Sequence, residues 1–431
     1  MKLVSTNNKS NIVDLKEAVL NSLPADRGLY MPTVIPKLKE SFINDIEQYS
    51  FQEIAFEMAK TLIGDYIPTA DLKNIVYNSI SFPAPLVKLN DQIGILELFH
   101  GPSLAFKDFG AQFMSRLMAY FTKGEGKELL ILVATSGDTG GAVAAGFHNV
   151  PGIKVAILYP SGKVSALQEK QLTTLGGNIY AFEIEGTFDD CQTIVKTAFL
   201  DPDLKSGYNL SSANSINIAR LIPQSFYYAE AYKQGKALGD LTFIIPSGNF
   251  GNLTAGLLAK RMELPIKHFV AATNKNKIVP DYLHTGEFNP IASVSTLSNA
   301  MDVGNPSNFA RMMDLYGSTW NNIKNDITGY WYDDQQTASA LREVYDKYNY
   351  IIDPHGAVAY CAAKEYLADK KEFGIIIETA HASKFKPDVE RILERKIEVP
   401  QRLSILKDKS KKAHFLKNSF SHFKAALIET F

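Results

Sequence analysis

Cysteine is nearly absent from this chain: two residues in 431, Cys191 and Cys361, stand far apart. That scarcity excludes a disulfide framework and a cysteine metal centre, and it fits a reducing cytosol. Long apolar runs are missing too. No stretch approaches the roughly 18 residues a membrane helix needs, and residues 1–10 are too polar for a secretory signal, so a cytoplasmic protein with no membrane partner is expected. Charge of one sign is lacking: 45 Lys and Arg against 46 Asp and Glu give a net charge of -1, which leaves no footprint for nucleic acid. His100, His148, His284, His355 and His381 show no spacing of the His-Glu-x-x-His kind, so no metal is expected. Internal repeats and low-complexity tracts are also absent.

What is present is a lysine in unusual company. The segment His100-Gly101-Pro102-Ser103-Leu104-Ala105-Phe106-Lys107-Asp108-Phe109-Gly110 sets Lys107 among Phe99, Phe106, Phe109 and Phe113. Such surroundings disfavour the ammonium form. A neutral lysine can form a Schiff base with a carbonyl cofactor such as pyridoxal phosphate. The competing reading is a helix-start lysine that packs its stem on the rings, and this segment alone does not separate the two.

Two glycine loops follow strand-like runs. Residues 241–245 are wholly apolar but for Thr242, and they lead into Pro246-Ser247-Gly248-Asn249-Phe250-Gly251-Asn252 and then a helical pattern. Free N–H groups at a helix start carry partial positive charge and suit a phosphate, and glycine lets the backbone come close. The loop has neither the Gly-Lys-Ser/Thr of a Walker A sequence nor a G-x-G-x-x-G, and a plain strand-to-helix turn remains its other reading. Likewise, residues 129–133 precede Ala134-Thr135-Ser136-Gly137-Asp138-Thr139-Gly140-Gly141 and a small-residue helix. Hydroxyls and amides packed this densely suit a carboxylate. Read as structure alone, Ser136 and Thr139 are caps and Asp138 a turn residue.

With 431 residues, 45% of them hydrophobic, the chain can bury more than one core. Residues 1–85 read as a mostly helical unit, with a capping box at Ser50-Phe51-Gln52-Glu53. Beyond it, strand-like runs at 129–133, 155–158, 179–184, 241–245, 268–271 and 375–378 alternate with helical patterns, as in a parallel α/β architecture. Ligands in such folds sit at the carboxyl ends of strands, where the glycine loops fall. Residues 274–334 carry many turn signals and read as an elaboration beside the site, and the basic run at 407–412 as a solvated tail.

These residues resemble the threonine synthase family, within the tryptophan synthase β-like group of fold type II pyridoxal-phosphate enzymes. The likeness runs through the three blocks above and through Leu158-Tyr159-Pro160-Ser161-Gly162-Lys163, Ser212-Ala213-Asn214-Ser215-Ile216-Asn217, Leu297-Ser298-Asn299-Ala300-Met301-Asp302-Val303 and Thr379-Ala380-His381, in the family's order. It departs where the family usually has proline, at Ala382 or Ser383, and threonine, at Ser103. The resemblance implies two parallel-sheet subdomains, 86–225 and 226–400, behind the helical domain 1–85 and before a tail, 401–431. It implies pyridoxal 5'-phosphate held by Lys107 as an internal aldimine, its phosphate on Gly248, Asn249, Phe250, Gly251 and Asn252, its pyridine nitrogen on Thr379 and its ring oxygen near Asp138. The implied substrate is O-phospho-L-homoserine, converted with water to L-threonine and phosphate by β,γ-elimination and replacement. Its carboxylate then falls on Ser136, Gly137 and Thr139, and its phosphate on Asn214, Ser215, Asn217 and Arg220, in a monomer or homodimer. The spacing from Asn217 to Arg220 places both on one face of a helix that starts there, and a guanidinium fork suits phosphate.

Rival readings within the fold are a serine or threonine dehydratase, which needs no second phosphate site, and a phosphohomoserine phospho-lyase that releases 2-oxobutyrate. A catalytically silent binding protein is a third, for which loss of Lys107 is the expected sign.

Overall fold

Apolar runs buried on both faces organise the molecule. In the computed structural model, which describes residues 1–124, 126 and 128–431, the strand Leu129–Ala134 is buried at all six positions, as are Leu241–Pro246 and Phe373–Glu378. Strands of this kind can only lie inside a sheet covered by helices on both sides. Two such sheets form. One has five parallel strands in the order His414–Lys417, Ile179–Glu185, Ile153–Pro160, Leu129–Ala134 and Asn209–Ser212, with Ile131 opposite Val155. The other has six, in the order Ile327–Trp331, His268–Thr273, Leu241–Pro246, Phe373–Glu378, Ile93–Glu97 and Leu86–Lys88; only the last pairs antiparallel.

The N-terminal residues are mostly helical, as their pattern implies, with one small sheet added. Helices Leu15–Asn21, Glu40–Asn44, Phe51–Ile63 and Thr69–Ser79 are joined by a three-stranded antiparallel sheet of Ile12–Asp14, Lys2–Ser5 and Tyr30–Pro32. The capping box is present, with the Ser50 N–H donating to Glu53 Oε2 at 2.8 Å. This unit docks through aromatic rings: Phe51 and Phe82 pack on Phe109, at 5.8 and 4.7 Å between centroids.

Strand pairing also redraws the linear partition. The strands Leu86–Lys88 and Ile93–Glu97, placed by sequence at the start of the first subdomain, complete the second sheet. The expected tail is no tail either. His414–Lys417 extends the first sheet, Phe423 packs on Phe182 at 5.3 Å, and Lys411 pairs with Glu169 and Glu183 at 2.6 Å each. Apolar residues on Phe420–Thr430 were outweighed in the pattern by the basic run before them. Among the described residues no helix is long and apolar enough to cross a membrane.

Candidate active site

Lys107 opens the helix Lys107–Thr122, on a turn fastened to the second sheet. The Phe106 N–H donates to the Thr379 carbonyl at 2.8 Å and the His381 N–H to the Leu104 carbonyl at 3.1 Å. Asp108 Oδ2 accepts the Ser103 N–H at 2.9 Å, and Gly101 is the residue that lets Asp108 close the turn, since a Cβ there would lie 2.4 Å from that oxygen. Of the four phenylalanines flanking Lys107, Phe106 has its ring 5.1 Å from Nζ. Phe109 and Phe113 turn away to Tyr227 and Phe226, and Phe99 to His381, because a helix start sends successive side chains in different directions. Burial lowers the Lys107 pKa; Asp138, with Oδ2 at 3.8 Å, opposes the shift, and Lys384 and Arg220 add to it.

The strand Leu129–Ala134 delivers the second loop. Thr135 Oγ1 accepts the N–H groups of Gly137 and Gly140 at 3.0 and 2.8 Å, which folds the chain into the helix Asp138–Phe147. Gly137 has φ +135°, and a Cβ there would lie 2.6 Å from the Gln168 side chain, so glycine is required twice over. The N–H groups of Ser136, Asp138 and Thr139 find no acceptor among the described residues; Ser136 is exposed and Thr139 half-buried. Asp138 itself faces inward, where Oδ1 accepts from Lys384 Nζ at 2.7 Å and from Gln168 Nε2 at 3.0 Å. Burial pushes its carboxyl up, but Lys384 and Lys107 together outweigh that and hold it well below the usual range.

The third loop follows Leu241–Pro246. No described acceptor meets the N–H groups of Gly248, Asn249, Phe250, Gly251 or Asn252, the last two beginning the helix Gly251–Arg261. Their side chains brace the loop: Asn252 Oδ1 accepts from the Ser247 hydroxyl at 2.7 Å, and Asn252 Nδ2 donates to the Pro246 carbonyl at 2.9 Å. The elaboration after residue 274 does part of this bracing. The Ser307 N–H donates to Asn249 Oδ1 at 2.6 Å, and Asn308 Nδ2 to the Asn249 carbonyl at 3.0 Å. Arg311, fully buried, donates to the carbonyls of Tyr30, Ser215 and Ile216.

Beside this loop lies the segment that carries Asn214, Ser215 and Arg220. Asn249 Nδ2 donates to Ser215 Oγ at 2.5 Å. Arg220 Nη1 donates to the Ala213 carbonyl at 2.8 Å, while Arg220 Nε and Asn214 Oδ1 are buried without a partner among the described residues. Gly110 gives the guanidinium its room, since a Cβ there would lie 2.7 Å from Nε. Asn217 is a correction. It caps the helix Ile218–Leu221 through Oδ1, and its Nδ2 donates to the Val19 carbonyl and to Ser22 Oγ at 2.8 and 2.9 Å, so its amide has no donor left for a ligand.

Thr379 directly follows the strand Phe373–Glu378 of the second sheet, with Oγ1 at 3.1 Å from His355 Nδ1 and 3.5 Å from Asp353 Oδ2. Thr135, Asp353, His355 and Lys384 touch the candidate residues and were not singled out by the motifs. Lys384 carries a signal in the sequence, since Lys384-Phe385 sets a lysine beside an aromatic ring as Phe106-Lys107 does.

Similarity to known proteins fits this geometry. The family model for pyridoxal-phosphate dependent enzymes matches residues 81–377, that for the threonine synthase N terminus residues 2–80, and that for the threonine synthase C-terminal region residues 356–427. The chain belongs to the threonine synthase family. The threonine synthase of Haemophilus influenzae is 43% identical over 432 residues, covering 100% of both chains. The crystal structure of the Escherichia coli threonine synthase matches at a TM-score of 0.93 with 41% identity, covering 100% of both chains. The pyridoxal-phosphate-bound threonine synthase of Brucella melitensis matches at 0.93 with 32% identity, covering 100% of this chain and 99% of that one. This member of the family is a pyridoxal-phosphate-dependent lyase of amino-acid biosynthesis. The residues fit the cofactor: five successive N–H groups without an acceptor among the described residues suit its phosphate, and an amine 18% exposed suits its aldehyde.

Proposed function

We propose that the chain converts O-phospho-L-homoserine and water into L-threonine and inorganic phosphate, with Lys107 as the cofactor lysine. The observation that carries this reading is a second anion-receptive cluster joined to the first. Arg220 Nε, a buried donor, has no partner among the described residues, and Ser215 on the same segment accepts from Asn249 of the glycine loop. An enzyme that takes serine or threonine has no use for a second phosphate site.

Bound pyridoxal phosphate supplies an electron sink for the charge left when a substrate carbon loses its proton. The residues of the chain bind, orient and move protons. Gly248, Asn249, Phe250, Gly251 and Asn252 would hold the cofactor phosphate at a helix start, where the partial positive charge favours it. Thr379, anchored by His355 and Asp353, would offer the ring nitrogen an uncharged hydroxyl, and Asp138 would serve the ring oxygen. Ser136 and Thr139 take the substrate carboxylate, with the N–H groups of Ser136, Asp138 and Thr139 as donors; Gly137, expected there too, has its one N–H on Thr135 Oγ1 and shapes the turn instead. Arg220, Asn214 and Ser215 take its phosphate, for which a guanidinium is suited. Lys107 removes the α-proton and then moves protons at the β-carbon, so that phosphate leaves from the γ-carbon and water adds at the β-carbon.

Phosphorus and proton NMR of the enzyme with pyridoxal phosphate and O-phospho-L-homoserine tests the reading. Threonine and phosphate are expected in equal amounts. Phosphate released with 2-oxobutyrate, or turnover of serine or threonine in place of the phosphorylated substrate, would contradict it.

A further inference from the structure

Lys384 lies in the 3-10 turn Ala382–Phe385, immediately after the strand end that carries Thr379, and its side chain has 0% exposure. Nζ reaches Asp138 Oδ1 at 2.7 Å and donates to the Ser103 carbonyl at 2.9 Å. The other oxygen of Asp138 faces Lys107 Nζ at 3.8 Å. Two lysines therefore share one buried carboxylate, and one carboxylate can neutralise one ammonium. A buried charge without a partner is costly, so the closer, hydrogen-bonded lysine takes the carboxylate and the farther one is left as an amine. The remaining charged neighbours do not supply a second counter-ion at Lys107. Arg220 adds positive charge, Asp353 is the more distant acid and lies against His355, and Asp108, whose carboxyl burial pushes up to about 6, is bonded to Ser103.

We propose that Lys384 is a positioning residue that holds Asp138 as its own counter-ion, so leaving the Lys107 amine free to condense with an aldehyde. The inference rests on Lys107 being the cofactor lysine. In the condensation the amine nitrogen bonds to the aldehyde carbon, and the carbonyl oxygen leaves with two protons as water; an ammonium has no electron pair with which to begin.

The test follows capture of pyridoxal phosphate by the full chain, freed of cofactor, as a rate against pH read from the absorbance of the lysine-bound form. Lys384→Met turns Asp138 toward Lys107, and the midpoint is expected to move about one pH unit alkaline, with capture at neutral pH falling about tenfold. Asp138→Asn is expected to move it the other way, and Lys384→Met with Asp138→Asn to return it toward the parent value. A role in folding alone would lower the yield of all three without opposed shifts. An unmoved midpoint in folded Lys384→Met overturns the proposal. Should that variant not fold, Lys384→Gln decides: an alkaline shift supports the proposal, and an acid or absent shift overturns it. Lys107→Ala separates the two ideas, because covalent capture that survives in it defeats the reading of Lys107 itself.

Discussion

Arg220 is 3% exposed, and burial pushes its pKa down to about 10 against the pull of Asp108. A guanidinium kept there with Nε unpaired among the described residues is a donor suited to an anion. Arg220→Ala is expected to weaken substrate binding by roughly 1.5 to 3 kcal/mol, a rise in KM of about 10- to 150-fold with a smaller change in kcat. Steady-state kinetics with O-phospho-L-homoserine measures this, and an unchanged KM and kcat/KM would refute the role. Arg220 and Lys107 were legible in the sequence because their chemistry is specific to their side chains. Asn217 was not, because an asparagine serves a ligand or a cap equally well, and its bonds to Val19 and Ser22 join positions nearly two hundred residues apart. Lys384 escaped for a related reason: its carboxylate partner is brought to it only by the meeting of the two sheets.

Elements built from continuous apolar runs could be read directly, and the six strands marked in the sequence all form, extended by one to four residues each. The N-terminal strands are only three or four residues long, too short for alternation to declare itself. Nor did the turn-rich residues after 274 carry any periodic sign of their work, which is done by Ser307, Asn308 and Arg311 through hydrogen bonds to the glycine loop and the Ser215 segment. That loop is tightly backed. A Cβ on Gly248 would stand 2.7 Å from the Cα of Met301 and 3.1 Å from its carbonyl, and backbone atoms yield little. Gly248→Ala is expected to displace the loop at a cost of about 1 to 3 kcal/mol and to weaken pyridoxal phosphate binding by about tenfold. An absorbance titration measures the affinity; an unchanged Kd would mean that the loop does not cradle the cofactor.

Over the whole molecule, the chain returns at its end to the sheet it built early, and the last elements share the core of the first subdomain. Phe423 and Leu427 are fully buried with Phe182, Ile184 and Cys191. Phe423→Ala is therefore expected to cost about 3 to 5 kcal/mol, where a solvated tail would show less than about 0.5. Denaturant unfolding followed by circular dichroism distinguishes the two. Both glycine loops, the Lys107 turn and the strand end at Thr379 meet between the sheets, and everything proposed for catalysis depends on which amine there holds the cofactor. Lys107 and Lys384 stand on opposite sides of Asp138. The direct measurement is borohydride reduction of the cofactor-loaded enzyme, followed by peptide mass spectrometry. The cofactor is expected on the peptide containing Lys107, and on none in Lys107→Ala; its recovery on Lys384 or any other lysine would contradict the assignment.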